Sequence, residues 1–281
     1  MDAAARSDAC AIGEAARSDF DAQVPFEVVD GRIYVQARVN GRGPFRFAVD
    51  TGASGRGRAD ATLVAVLGLE VHGSASTSDG LESTVVDTTR LESLALGGLS
   101  RHDLEVITRD YSRLMSPEAP FLGILGRGFF EDGLLVIDYP RRMLSFSRSL
   151  VLPAGGDSIL EYERPFRVSV SIGDVRTEGN IDTGANVAFL MPQALYGQLE
   201  GTPLEPAGAG GLTNGRIETM RGVIRGPVRI GAASIEDAEV RVSDRYPELL
   251  VGAHALQGFV ILVDQRSKRV ALCPPASPGK T

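Results

Sequence analysis

The feature that most constrains this chain is an internal repeat. FRFAVDTGAS around Asp50 recurs as EGNIDTGANV around Asp182, 132 positions later. ILGRGFFEDGLLVID ends at Asp138 and is matched by LVGAHALQGFVILVD, which ends at Asp264; Gly126 and Gly252 correspond within these segments. Between the landmarks each half carries a turn dipeptide in a polar ribbon, Asp79-Gly80 in STSDGLEST and Asn214-Gly215 in GLTNGRIET. Each half then has a strand ending in glycine, LESLALGG and GPVRIGAA. Four landmarks recurring in one order describe a duplicated unit.

That unit reads as β. Residues 33–39 (IYVQARV) alternate apolar and polar, Asn40-Gly41 follows as a hairpin turn, and residues 45–49 run back. Residues 134–137 and 259–263 are short, wholly apolar runs suited to buried strands. Helical patterning is confined to pieces such as 59–67 and 192–199. Glycine, at 33 of 281 residues, well above the usual ~7%, implies many tight turns and excludes an all-α fold. The expected organisation is an extension (1–24), two lobes (25–150 and 151–273) and a disordered tail (274–281). The lobes divide within residues 149–162, where Pro153-Ala154-Gly155-Gly156 breaks the strand pattern.

Several function classes are disfavoured at once. A net charge of −7 argues against nucleic acid or an anionic membrane surface as partner. No run approaches the roughly 18 apolar residues of a membrane span. Two Cys and three His (His72, His102, His254) cannot supply a zinc centre of recognisable spacing, so neither metal nor cofactor is expected. Residues 1–24 lack the apolar core of a signal peptide. The expectation is a cytoplasmic protein, or numbering that begins after a removed export signal.

The chemistry gathers at Asp50-Thr51-Gly52-Ala53 and Asp182-Thr183-Gly184-Ala185. Each Asp ends an apolar strand, and Thr-Gly lets the backbone turn sharply behind it. One such motif could be an ordinary turn with a capping Asp. Two, at matching places in a duplication, put the loops around a pseudo-two-fold axis where the carboxylates can meet.

With these residues in view, the chain resembles the aspartic proteases. Each Asp-Thr-Gly-Ala is followed downstream by an apolar-apolar-Gly, Ile124-Leu125-Gly126 and Leu250-Val251-Gly252. This pairing is similar to the retropepsin-like branch, bacterial periplasmic-type members included, here fused as two lobes in one chain. The resemblance spans about residues 25–273. It implies an all-β fold of two lobes with a cleft between them. It also implies an endopeptidase acting on an extended peptide or protein through an Asp50/Asp182 dyad, as a monomer. Thr51 and Thr183, with Gly52 and Gly184, would support the dyad, and the ribbons around 73–90 and 207–224 would be flaps. Asp79, Gly80, Gly210, Gly211, Asn214 and Gly215 are the expected substrate-side residues.

Departures from the family stand out: neither ribbon has an aromatic residue, and Ala253 stands where an Arg is expected. In the first lobe Ser54-Gly55-Arg56 replaces the carboxylates that would receive Arg127. Arg56 and Arg58 would favour acidic substrate residues if they faced the cleft, and would otherwise be solvated. Ala53 and Ala185 provide no hydroxyl to the dyad, so its pKa should be higher and its working pH mildly acidic to near neutral. In two-lobed relatives both chain ends run near a shared sheet, which would let Cys10 and Cys273 meet and would require an oxidising compartment; the periplasm is the expectation. The competing reading is a non-catalytic peptide-binding protein on the same fold. A two-carboxylate glycosidase is weaker, because its carboxyls stand at least ~5 Å apart.

Overall fold

The computed structural model describes residues 8–13, 15 and 17–274, and these form three β-sheets. One eight-stranded sheet is drawn from the first half of the repeat, between Glu27–Val29 and Gly123–Gly126. A nine-stranded sheet is drawn from the second half, between Arg167–Ile172 and Leu249–Gly252. The third sheet, of six strands, takes members from both halves. The expected tail lies, Pro274 apart, outside the described residues.

The six-stranded sheet carries the pseudo-symmetry. Leu134–Asp138 and Val260–Asp264, the two ends of the repeat, pair antiparallel with Val136 opposite Leu262. Met143–Ser147 and Arg269–Cys273 flank them, and Ala22–Pro25 and Ile159–Glu161 close the edges. Its central strands are apolar up to the Asp that ends each, because both faces are covered. Leu135, Ile137, Ile261 and Val263 join the main core. Leu134, Val136, Val260 and Leu262 meet the N-terminal segment, including Ala9 of helix Asp8–Ile12. On that face Cys10 and Cys273 form a disulfide. Asp8–Ile12 and Ala22–Pro25 therefore contribute a short helix and an edge strand to the body of the protein.

Helices are short. Ala61–Leu67 is capped by Asp60, whose carboxylate accepts from the Thr62 N–H, and ends at Gly68 in the left-handed conformation. Gln193–Tyr196 is a single turn in the matching place of the second half. Among the described residues no helix is long and apolar enough to cross a membrane.

Candidate active site

The two Asp-Thr-Gly loops are held by equivalent strand pairs. Arg42–Asp50 runs parallel to Gly123–Gly126, with Asp50 opposite Gly126. Val175–Asp182 runs parallel to Leu249–Gly252, with Asp182 opposite Gly252. Both loops therefore emerge at the same height, facing one another.

Thr51 and Thr183 tie the loops together beneath. The Thr51 N–H donates to Thr183 Oγ1 (3.1 Å) and the Thr183 N–H to Thr51 Oγ1 (3.0 Å). Each hydroxyl then donates to a carbonyl of the opposite lobe, Thr51 to Ile181 (3.2 Å) and Thr183 to Val49 (2.9 Å). Both side chains are buried, so the four bonds meet the requirement that buried polar groups be paired.

The glycines explain why nothing larger follows the threonines. A Cβ on Gly52 would lie 2.5 Å from Asp182 Oδ2, and one on Gly184 would lie 2.4 Å from Asp50 Cγ. Each carboxyl thus packs against the glycine of the other loop. Asp50 Oδ1 accepts from the Ala53 N–H and Asp182 Oδ1 from the Gly184 N–H, both at 2.8 Å. Burial, and then the neighbouring Asp50 carboxyl, push Asp182 up to about 7, against the pull of the Gly184 and Gly52 N–H groups. Two carboxyls in one site cannot both ionise cheaply, so the pair holds a proton that an isolated Asp would have lost.

Arginines brace both loops. Arg127 Nη1 donates to the Gly52 carbonyl (3.0 Å). Its counterpart position is Ala253, as the sequence has it, yet the Gly184 carbonyl also accepts from an arginine. Arg32, reaching across from the first lobe, donates through Nε to Gly184 O (2.7 Å), and through its other nitrogens to Leu114 O and Asn186 Oδ1. Arg32 lies outside both repeated motifs, so no sequence signal marks it.

The two polar ribbons cover the cleft. Val71–Ser78 with Ser83–Leu96 forms the first, and Glu205–Gly211 with Arg216–Val223 the second. Their tips touch. The Asn214 N–H donates to Asp79 Oδ2 (2.7 Å), its side-chain amide donates to the carbonyls of Thr77 and Glu82, and Arg109 donates to its Oδ1 (2.8 Å). Asp79 also organises its own turn, accepting from the N–H groups of Leu81 and Glu82. Beneath lies a cavity of about 530 Å³ whose wall includes Asp50, Asp182, Asp79, Gly80, Gly210 and Gly211. Gly215 sits outside that wall, against the Glu82 carboxylate.

Arg56 and Arg58, alike in sequence, part company. Arg56 is exposed and paired with Glu131 (2.6 Å), whereas Arg58 is buried and lines the cavity. Tyr111 and Tyr246, which the sequence analysis did not single out, line it on opposite sides. No motif marks either tyrosine, and only their roughly matching places in the two halves hint at a shared role.

A duplicated β-protein with two interlocked Asp-Thr-Gly loops at the floor of a covered cleft defines the aspartic-protease class of fold. Residues 35–129, most of the first lobe, match the family model of the aspartyl proteases, which supports an aspartic protease family for the chain. No curated protein matches the chain.

Proposed function

We propose that this chain is an aspartic endopeptidase in which Asp50 and Asp182 activate a water against a peptide bond. The observation that carries the reading is geometric: two carboxyls meet across the lobes, each packed against the glycine of the other loop and held by a backbone N–H. The ionised member takes a proton from water as that water attacks the carbonyl carbon. The protonated member donates a hydrogen bond to the carbonyl oxygen and stabilises the tetrahedral diol. Collapse of the diol returns a proton to the leaving amine. Because both loops come from one chain, catalysis needs no dimer. An extended peptide under the two ribbons would pair with their backbone as an added strand.

The Cys10–Cys273 bridge supports an oxidising compartment, the bacterial periplasm being the natural case. The test of the activity is digestion of a proteome-derived peptide mixture between about pH 3 and 8, read by mass spectrometry, with Asp182→Asn alongside. Cuts made by the wild type and absent from the variant are the expected result. The same cuts in both, or none at any pH, would overturn the assignment.

A further inference from the structure

The two sides of the cavity that flank the dyad are equivalent by symmetry and opposite in chemistry. Gly57–Asp60 runs antiparallel to Gly123–Gly126 with Arg58 opposite Ile124. In the second lobe Phe189–Met191 runs antiparallel to Leu249–Gly252 with Leu190 opposite Leu250. Arg58 and Leu190 each stand eight residues beyond their Asp, so the duplication maps one onto the other. Alternation along the strand sends Gly57 and Ala59 to the core, where a Cβ on Gly57 would meet Leu94. Arg58 is left facing the cleft. Both Arg58 and Leu190 line the cavity.

Leu190 sits among Ile217, Tyr246 and Leu250, an ordinary apolar lining. Arg58 sits in the corresponding apolar patch, beside Tyr111 and near Phe121 and Ile124. It is only 7% exposed, the Tyr111 hydroxyl is its hydrogen-bonding neighbour, its Nε has no acceptor, and among the described residues no carboxylate lies within ion-pair distance of it. The other charged groups beside the cavity differ. Arg32 has three acceptors, Arg241 faces Glu239, and Glu248 is held by Arg167. A buried guanidinium without a counter-ion is costly, and its planar fork matches a carboxylate through two parallel hydrogen bonds.

We propose that the first-lobe side takes an acidic side chain of the substrate on Arg58, while the Leu190 side takes an apolar one. The substrate is thereby read in one direction, with a carboxylate to one side of the scissile bond and an apolar residue to the other. The inference rests on the peptidase reading only in taking a peptide as the ligand.

The test uses the intact chain and a set of octapeptides in which each position in turn is Glu or Gln. At one position the wild type should cleave the Glu peptide with a kcat/KM at least about tenfold above that of its Gln twin, as expected for a charged hydrogen bond. In Arg58→Leu that ratio should fall to about one, and in Arg58→Lys it should be intermediate. Equal rates for Glu and Gln at every position in the wild type overturn the proposal without any variant having to fold. So does a ratio that survives Arg58→Leu while the pH optimum moves, which would make Arg58 a group that tunes Asp50. If the wild type cleaves nothing, the peptidase reading fails separately, and the same pairs are titrated by calorimetry. Tighter Glu binding lost in Arg58→Leu upholds the pocket, and equal affinities overturn it.

Discussion

Asp79 and Asn214, on ribbons from different lobes, hydrogen-bond to one another over the mouth of the cleft, 2.7 Å from backbone N–H to carboxylate. Neither ribbon has an aromatic residue, and this polar contact is what joins their tips. It is polar, lies at a loop tip and is bordered by Gly208, Gly210 and Gly211, features of a segment drawn from the low-stability end of a fold. Asn214→Ala would remove three of the four bonds that Asn214 makes. At about 1 kcal/mol net per bond, amide exchange at residues 79–82 and 212–215 should rise tenfold or more. The melting temperature should stay nearly constant. Unchanged exchange at both tips would mean that the ribbons are held by something other than this contact.

The threonine lock makes a sharper statement about coupling. Each hydroxyl accepts from the other loop and donates to the other lobe, so Thr51→Val or Thr183→Val alone leaves buried partners unsatisfied. Either change should cost about 2–3 kcal/mol in denaturant unfolding, the range for orphaned buried donors and acceptors. The double variant should cost clearly less than the sum, because the two residues share one network. Additive losses would show that the threonines act independently.

The landmarks of the repeat make much of this site readable in the sequence alone. The 132-residue spacing of the Asp-Thr-Gly loops and the two ribbon dipeptides all fall in the region the fold brings together. What stayed hidden depends on which way a side chain points. Arg56 and Arg58 differ by two positions and looked interchangeable, but the path of the Asp-Thr-Gly loop carries Arg56 out to Glu131 while the strand turns Arg58 inward. Ala253 leaves the second loop without an arginine from its own lobe, and the brace arrives from Arg32 in the other lobe, 152 residues from the carbonyl it binds. A substitution made across lobes leaves no local pattern to read.

The disulfide offers a third expectation. Cys10 and Cys273 are 263 residues apart, so their bridge closes nearly the whole chain. In the chain-entropy model a loop of that length stabilises by about 5 kcal/mol, an upper-end value. Cys10→Ser/Cys273→Ser should therefore melt well below the wild type, and a reductant should reproduce the drop in the wild type alone. Free thiols in the purified protein, found by mass spectrometry without reduction, would remove both this expectation and the argument for an oxidising compartment.

Stability and activity should respond to pH through the same carboxyl. Asp182 is raised by burial and by Asp50, from an ordinary 3.8 to about 7. Between those values the native protein holds a proton that the unfolded chain releases, so unfolding free energy declines as pH climbs through that window. Asp132 works the other way. Hydrogen bonds from Arg101 and Arg148 hold it well below the usual carboxylate range, so its stabilisation is present near neutrality and lost in strong acid. Of these two groups, Asp182 favours stability toward acid and Asp132 favours it toward neutrality. Asp182→Asn, neutral at every pH, should lose the decline toward neutrality and keep the acid limb. The activity of the wild type should track the shared proton, with kcat/KM falling above about 7. Ala53 and Ala185 leave only backbone N–H donors at the dyad, so its optimum should lie above the strongly acidic range. An optimum below about pH 3 would show that the dyad loses its shared proton far more easily than its burial implies.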